Sequence, residues 1–236
     1  MQPAALGVDA DTAAKKLARW AAEGWLRRVR RGSYVGVPVD AADAAASSED
    51  ALIVATKVWA PCYFTGWTAA GHWALTDQSS RTTVRIRASA VRLLDQDYLV
   101  HHVPEDALAR GVEDRVDGRR ATLLADPART VIDILAKPAF AGGIRHGAEI
   151  LSAYLDDHDP SLLIEHGDRL GNVAVFKRLG YLVEALAMGD PALISACGER
   201  VSSGASSLDL DGLPGGRQVM RWQLRVNVAI VREGAS

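Results

Sequence analysis

The chain has 236 residues, 48% of them apolar and 24% charged, with a formal net charge of −2. This is ordinary globular composition for one or two domains, and it excludes disordered, collagen-like and coiled-coil classes for the bulk of the chain. No apolar run is long enough to span a bilayer, no signal sequence is evident, and the two cysteines, Cys62 and Cys197, cannot build a disulfide framework, so a cytoplasmic protein without a membrane partner is expected.

Charge is spread unevenly. Residues 1–40 carry seven basic and four acidic side chains, and the remaining 196 carry 20 and 25. Between Lys15 and Arg31 the only acid is Glu23. A basic head on an acidic body points to an anionic partner for the head.

In the head, Asp11 to Glu23 reads as a helix, rich in Ala, Lys, Leu and Arg, with Asp9 or Asp11 as its cap and Gly24 just beyond its end. At about 100° per residue, Thr12, Lys15, Lys16, Arg19 and Glu23 fall within one arc. Ala13, Ala14, Leu17 and Ala21 lie opposite, with Trp20 at the border. A basic hairpin follows, with Trp25, Leu26 and Val29 apolar, a turn at Gly32-Ser33, and Tyr34-Val35 returning. Arg27, Arg28, Arg30 and Arg31 crowd that hairpin, and four cations so close call for an anion. Helix, tight turn and basic hairpin is the order of a winged helix-turn-helix, with the helix in the major groove and the wing on phosphate. Only Met1–Val8 precedes the helix, so the winged helix is expected to be partial, its first helix absent.

A soft joint at Ala41–Ala46 is read as the domain boundary. Beyond it, Ser47 or Ser48 caps a helix over Glu49–Trp59. Cys62-Tyr63-Phe64 is a short strand, and Thr65 caps a small helix, GWTAAGHWAL. Thr82–Ala88 alternates as a strand, Tyr98–Val103 is a second, and Arg119–Leu124 a third, after the Asp117-Gly118 turn. From Asp126 the pattern turns helical: Pro127–Lys137, Ile144–Leu155, Ser161–Leu170, Val173–Met188 and Pro191–Arg200. Residues 202–207 read as a loop and Val219–Ile230 as a terminal strand or strand pair. Strands followed by helices give an α+β fold class.

Reactive motifs are scarce. Walker A, GxSxG and HExxH patterns are absent. Asp209, Asp211 and Gly212 read as a plain turn, because Ser207 and Gln218 stand where outer calcium ligands would be needed. His101 and His102 point to opposite faces of a strand. His72, His146, His158 and His166 read as isolated surface or satisfied core residues, and Asp156, Asp157 and Asp159 as a solvated turn and cap. Cys62 reads as buried and inert, and the tryptophans besides Trp20 as core or interface packing. No catalytic residue, cofactor or metal is expected.

The stretch KLARWAAEGWLRRVRRGSYVGVP resembles the wing end of the winged helix in the AbiEi family, antitoxins of type IV toxin–antitoxin (abortive infection) systems. The body resembles that family's C-terminal antitoxin domain, in order, at residues 63–78, 126–135, 142–144, 176–186 and 221–230. The departure is the missing first helix. The resemblance implies a transcriptional autorepressor that binds inverted repeats of double-stranded DNA in its own promoter. It also implies an antitoxin that counters a nucleotidyltransferase-like toxin without a stable inhibitory complex. The expectation is therefore a head over residues 1–40 and an antitoxin domain over residues 41–236. Thr12, Lys15, Lys16 and Arg19 would face DNA, and Arg27, Arg28, Arg30 and Arg31 would grip phosphate. Two rivals stay open: a nuclease-like enzyme delivered to DNA by the head, and a protein-interaction module whose head docks an acidic partner.

Overall fold

The structure, a computed structural model, describes residues 7–30, 32–36, 48–78, 82–85, 89–93, 96–101, 103, 108, 111–117, 120–189 and 191–230. Among these residues the fold is α+β, with eight α-helices, a two-stranded hairpin, a six-stranded mixed sheet and a three-stranded sheet. In the head, α1 (Ala10–Ala22) leads into β1 (Leu26–Arg30) and β2 (Ser33–Gly36). The expected domain boundary at 41–46 lies outside the described residues. The body begins with α2 (Ser48–Trp59), β3 (Tyr63–Phe64) and α3 (Gly66–His72).

Strands β4 (Thr82–Arg85), β5 (Ser89–Leu93), β6 (Gln96–His101), β7 (Val112–Asp117) and β8 (Arg120–Ala125) complete the larger sheet, in the order β5-β6-β4-β3-β8-β7. β6 on β4 and β3 on β8 are parallel, and the other pairs antiparallel. Sequence patterning predicts β4, β6 and β8 but not β5 or β7. These two are the edge strands, and VEDRVD at β7 has too little apolar alternation to announce itself. Four helices follow: α4 (Pro127–Ala136), α5 (Ile144–Asp157), α6 (Ser161–Leu170) and α7 (Val173–Ala185). Then come α8 (Pro191–Gly198), β9 (Ser206–Ser207), β10 (Arg217–Val219) and β11 (Leu224–Val226). The expected loop at 202–207 thus ends in a strand. The terminal stretch is interrupted by a 3-10 turn at Met220–Trp222, after which Gln223 takes a left-handed conformation.

The main core lies among α4 to α8. Ile132, Leu135, Phe140, Leu151, Leu179 and Trp222 are fully buried in it. A second cluster, with Tyr63, Phe64, Tyr98 and Leu124, sits under the larger sheet.

Buried polar groups tie these layers together. Tyr63 and Thr65 donate their hydroxyl hydrogens to Asp133 Oδ2 at 2.8 and 2.9 Å, and Arg129 Nε donates to Asp133 Oδ1 at 3.1 Å. Thr65 therefore does not cap α3 with its side chain, as the sequence suggested. Its hydroxyl serves a buried carboxylate 68 positions away. Burial acts to lower the Arg129 pKa, and the Asp133 charge with the Tyr63 contact outweighs it, so the group is held more firmly cationic. Arg178 is also buried, and it donates to the carbonyl oxygens of Leu135, Ser207 and Leu208 at 2.7 to 3.0 Å. Trp222 packs over Gly180, where a β-carbon would stand 2.2 Å from the indole, and its Nε1–H donates to Glu184 at 2.6 Å.

Candidate nucleic-acid interface

α1 starts where local chemistry directs it. The Asp9 carboxylate accepts the backbone N–H of Thr12 at 2.9 Å, which caps the helix and lowers the Asp9 pKa. At the other end Gly24 takes φ +82°, the left-handed conformation that a C′ glycine supplies. Ala13 and Leu17, four residues apart, are fully buried. Leu17 meets Leu26 of β1 and Tyr34 of β2, with Trp20 and Ala21 beside them. The small apolar stripe is thus spent on holding the hairpin to the helix. Ala14, expected on that stripe, is exposed. Ala14 falls outside the sector that Ala13 and Leu17 bury.

Lys15, Lys16 and Arg19 are exposed, and Thr12 is half-buried at the first turn. Lys15 lies 3.3 Å from Asp11 and Arg19 3.5 Å from Glu23, both pairs one turn apart and largely solvated. Such pairs contribute only about 0.3–0.5 kcal/mol each, so neither cation is locked to its partner. Arg19 also sits in the last turn, where a cation suits the helix dipole.

In the hairpin, Leu26 pairs with Gly36, Arg27 with Val35, Arg28 with Tyr34 and Arg30 with Ser33, the register shifting between Arg28 and Arg30. The shift places one extra residue in the arginine-bearing strand. Arg28 is exposed, and its cross-strand partner Tyr34 is buried in the head's core. Arg27 and Arg30 are placed on β1 by their backbone alone, and Arg31 lies outside the described residues.

In the body, several side chains that read as isolated in the sequence have partners. His146 Nε2 lies 3.1 Å from Thr76 Oγ1, and His146 Nδ1 lies 2.8 Å from Glu149 Oε2. His146 is therefore not isolated. Thr76 Oγ1 also accepts the N–H of Gln78 at 3.1 Å, the bond of a turn. His166 is likewise not isolated. It is buried, with Nε2 3.3 Å from Asp126 Oδ2, and among the described residues its Nδ1 has no hydrogen-bond partner, so it is not a fully satisfied core histidine there. His101 contacts Lys137, and His102 lies outside the described residues. Asp159 accepts the N–H of Ser161 at 2.8 Å, a turn bond just ahead of α6, whose cap position is held by Pro160.

Asp209 is more than a turn residue. Its carboxylate accepts the N–H of Ile144 at 2.8 Å and that of Asp211 at 3.1 Å. Burial raises the Cys62 thiol to about 11 and the Cys197 thiol to about 12, which leaves both inert. A cavity of about 580 Å³ beside α5 carries one cation, Arg145, and two carboxylates, Glu149 and Asp156, among apolar side chains. Among the described residues no group of three or more His, Cys, Asp or Glu side chains is placed to hold a metal ion, and no helix is long and apolar enough to cross a membrane.

No family model and no curated protein matches the chain. Among solved structures, the RV2827C protein from Mycobacterium tuberculosis has a similar fold, with a TM-score of 0.62 over 92% of this chain and 80% of that one. At 20% sequence identity the likeness extends to the fold alone.

Proposed function

We propose that this chain is a DNA-binding antitoxin and autorepressor of a type IV toxin–antitoxin pair, working in the cytoplasm. Residues 1–40 form the winged helix-turn-helix head and residues 41–236 the antitoxin domain. The observation that carries the DNA-binding half is α1, which buries Ala13 and Leu17 while exposing Lys15, Lys16 and Arg19, and which is followed directly by an arginine-bearing hairpin. In the complex, α1 enters the major groove of the chain's own promoter. Lys15 and Lys16 meet phosphates or base edges, Thr12 lies at the helix entry, and Arg27, Arg28, Arg30 and Arg31 hold the backbone. Arg19 exchanges Glu23 for guanine. The solvated pair it gives up contributes about 0.3–0.5 kcal/mol, against roughly 1–3 kcal/mol for a bidentate contact to O6 and N7, so the exchange is downhill.

The antitoxin half rests on the AbiEi resemblance. The resembling stretches hold one another. Tyr63 and Thr65 bond Asp133, Arg178 bonds the Leu135 carbonyl, Trp67 faces Gly142, and Trp222 lies on Gly180. The partner toxin, a nucleotidyltransferase-like protein, is countered without a stable complex and without a cofactor.

A gel shift with the duplex lying upstream of the gene, against a scrambled duplex of equal length and over a range of salt, tests the DNA-binding half. The expected result is a preference for the upstream duplex and a logarithmic loss of affinity with salt. No complex with either duplex at low salt refutes that half. Growth rescue of cells expressing the neighbouring toxin gene tests the other.

A further inference from the structure

Thr76, just past the end of α3, meets two side chains of α5 in an order that carries chemistry. Its Oγ1 lies 3.1 Å from His146 Nε2, and His146 Nδ1 lies 2.8 Å from Glu149 Oε2. Hydroxyl, imidazole and carboxylate in that order is the arrangement of a nucleophile, its base and the group that orients the base. The carboxylate decides the tautomer. Ionised Glu149 has no hydrogen to give, so Nδ1 carries the proton and donates it. In the neutral ring Nε2 is then an acceptor, and Thr76 must donate its hydroxyl hydrogen to it.

The fold holds these groups in place. Thr76 follows Leu75, whose side chain is buried and whose N–H donates to the Ala70 carbonyl oxygen at 2.9 Å. Thr76 Oγ1 accepts the Gln78 N–H at 3.1 Å, which leaves its own hydrogen for His146. His146 stands in the first turn of α5, next but one to Ile144, whose N–H donates to Asp209. Its ring lies against that of Trp67, with centroids 5.6 Å apart, and Trp67 in turn sits on Gly142. The Trp67 Nε1–H is buried and has no acceptor among the described residues, an open donor in the ring packed on the base. Thr76 is half-buried and the Glu149 side chain 51% exposed, so the cluster is open to solvent.

We propose that this cluster hydrolyses short-chain carboxylic esters, with Thr76 and His146 as catalytic residues and Glu149 as a positioning residue. Thr76 Oγ1 attacks the ester carbonyl carbon, and its proton passes to His146 Nε2. The tetrahedral intermediate collapses, the bond to the alcohol oxygen breaks, and His146 gives its proton to the leaving alkoxide. Water then attacks the acyl-threonine and gives one proton to His146. The bond to Oγ1 breaks, Thr76 recovers that proton, and the carboxylic acid leaves. One imidazole serves every proton step, which suits an ester, because an alkoxide leaves more readily than an amide anion. The Gln78 N–H, held near Oγ1, is a donor within reach of the carbonyl oxygen as it gains charge. The β-methyl of Thr76 and its half-buried place limit the acyl group to a short one. This activity lies in the body and does not rest on the DNA-binding reading.

Full-length wild type is assayed with p-nitrophenyl acetate and p-nitrophenyl octanoate, beside Thr76→Val, Thr76→Ser, His146→Gln and Glu149→Gln. Wild type should turn over the acetate with saturation and the octanoate far more slowly. Thr76→Val and His146→Gln should lose about a hundredfold or more in kcat/KM, and Thr76→Ser should recover most of the loss. Glu149→Gln should lower kcat about a hundredfold at an unchanged KM, the mark of a group that orients the base without holding the substrate. Independently of how the variants fold, wild type quenched in acid during turnover should carry one acetyl group, which fragment mass spectrometry should place on Thr76. Absence of saturable hydrolysis in wild type overturns the proposal. So does turnover that survives Thr76→Val, or acetyl groups found on lysines alone, either of which marks a surface reaction. Equal turnover of acetate and octanoate overturns the short-chain assignment.

Discussion

Asp209 and Ile144 are 65 positions apart, and the Asp209 carboxylate accepts the Ile144 N–H at 2.8 Å. The residue at the cap position of α5 is Gly143, which has no side chain to serve the orphan donors of the first turn. A β-carbon there would stand 3.2 Å from Asp209 Oδ2, so the glycine makes room for a distant carboxylate to act as the cap. The same aspartate opposes the burial that lowers the pKa of Arg178. Asp209→Ala should lower the unfolding free energy by about 1–3 kcal/mol, and Asp209→Asn by less, since its amide oxygen still accepts. Urea denaturation measures both. Equal losses would show that charge, and not the hydrogen bond, is what stabilises.

Arg19 is the α1 residue whose fork can read a base. Arg19→Ala should lower affinity for the upstream duplex by about 1–3 kcal/mol and for scrambled DNA by much less. Competition gel shifts at one fixed salt measure the ratio. An equal loss on both duplexes would make Arg19 a phosphate clamp.

The hairpin should behave in the opposite way. Arg28→Ala with Arg30→Ala should weaken binding to both duplexes alike and flatten the salt slope by about 0.9 for each phosphate that is no longer neutralised. Growth rescue against the toxin should be unaffected. A salt titration with unchanged slope would remove the wing from the interface.

Both thiols are raised by burial, Cys62 to about 11 and Cys197 to about 12, from an ordinary value of 9.0. At pH 8 neither should react with a disulfide reagent until the chain unfolds, when both should react. The raised values also fix a sign. Above about pH 9 the unfolded thiols ionise while the folded ones keep their protons, so stability falls with rising pH up to about 11 and 12. Prompt reaction of Cys62 in the folded protein would contradict its burial.

Where each element starts and stops is written locally, and the sequence determined most of it. Asp9 and Gly24 bound α1, Pro127 opens α4 behind the Asp126 cap, and α6 runs over the predicted Ser161–Leu170. The basic hairpin and the cationic face of α1 were legible for the same reason, since periodicity and turn chemistry act between neighbours within a few residues. What joins residues 65 to 70 positions apart was not legible. Asp133 as the acceptor for Tyr63 and Thr65, Asp209 as the cap of α5, and Ala14 left out of the head's core depend on which surfaces meet. The edge strands β5 and β7 were missed because half of what defines a strand is its neighbour. Trp25 shows the same limit at the candidate interface. Its composition says only that an aromatic belongs somewhere, and the fold decided that it stands in solvent, because the head's small core closes on Leu17, Leu26 and Tyr34 without it.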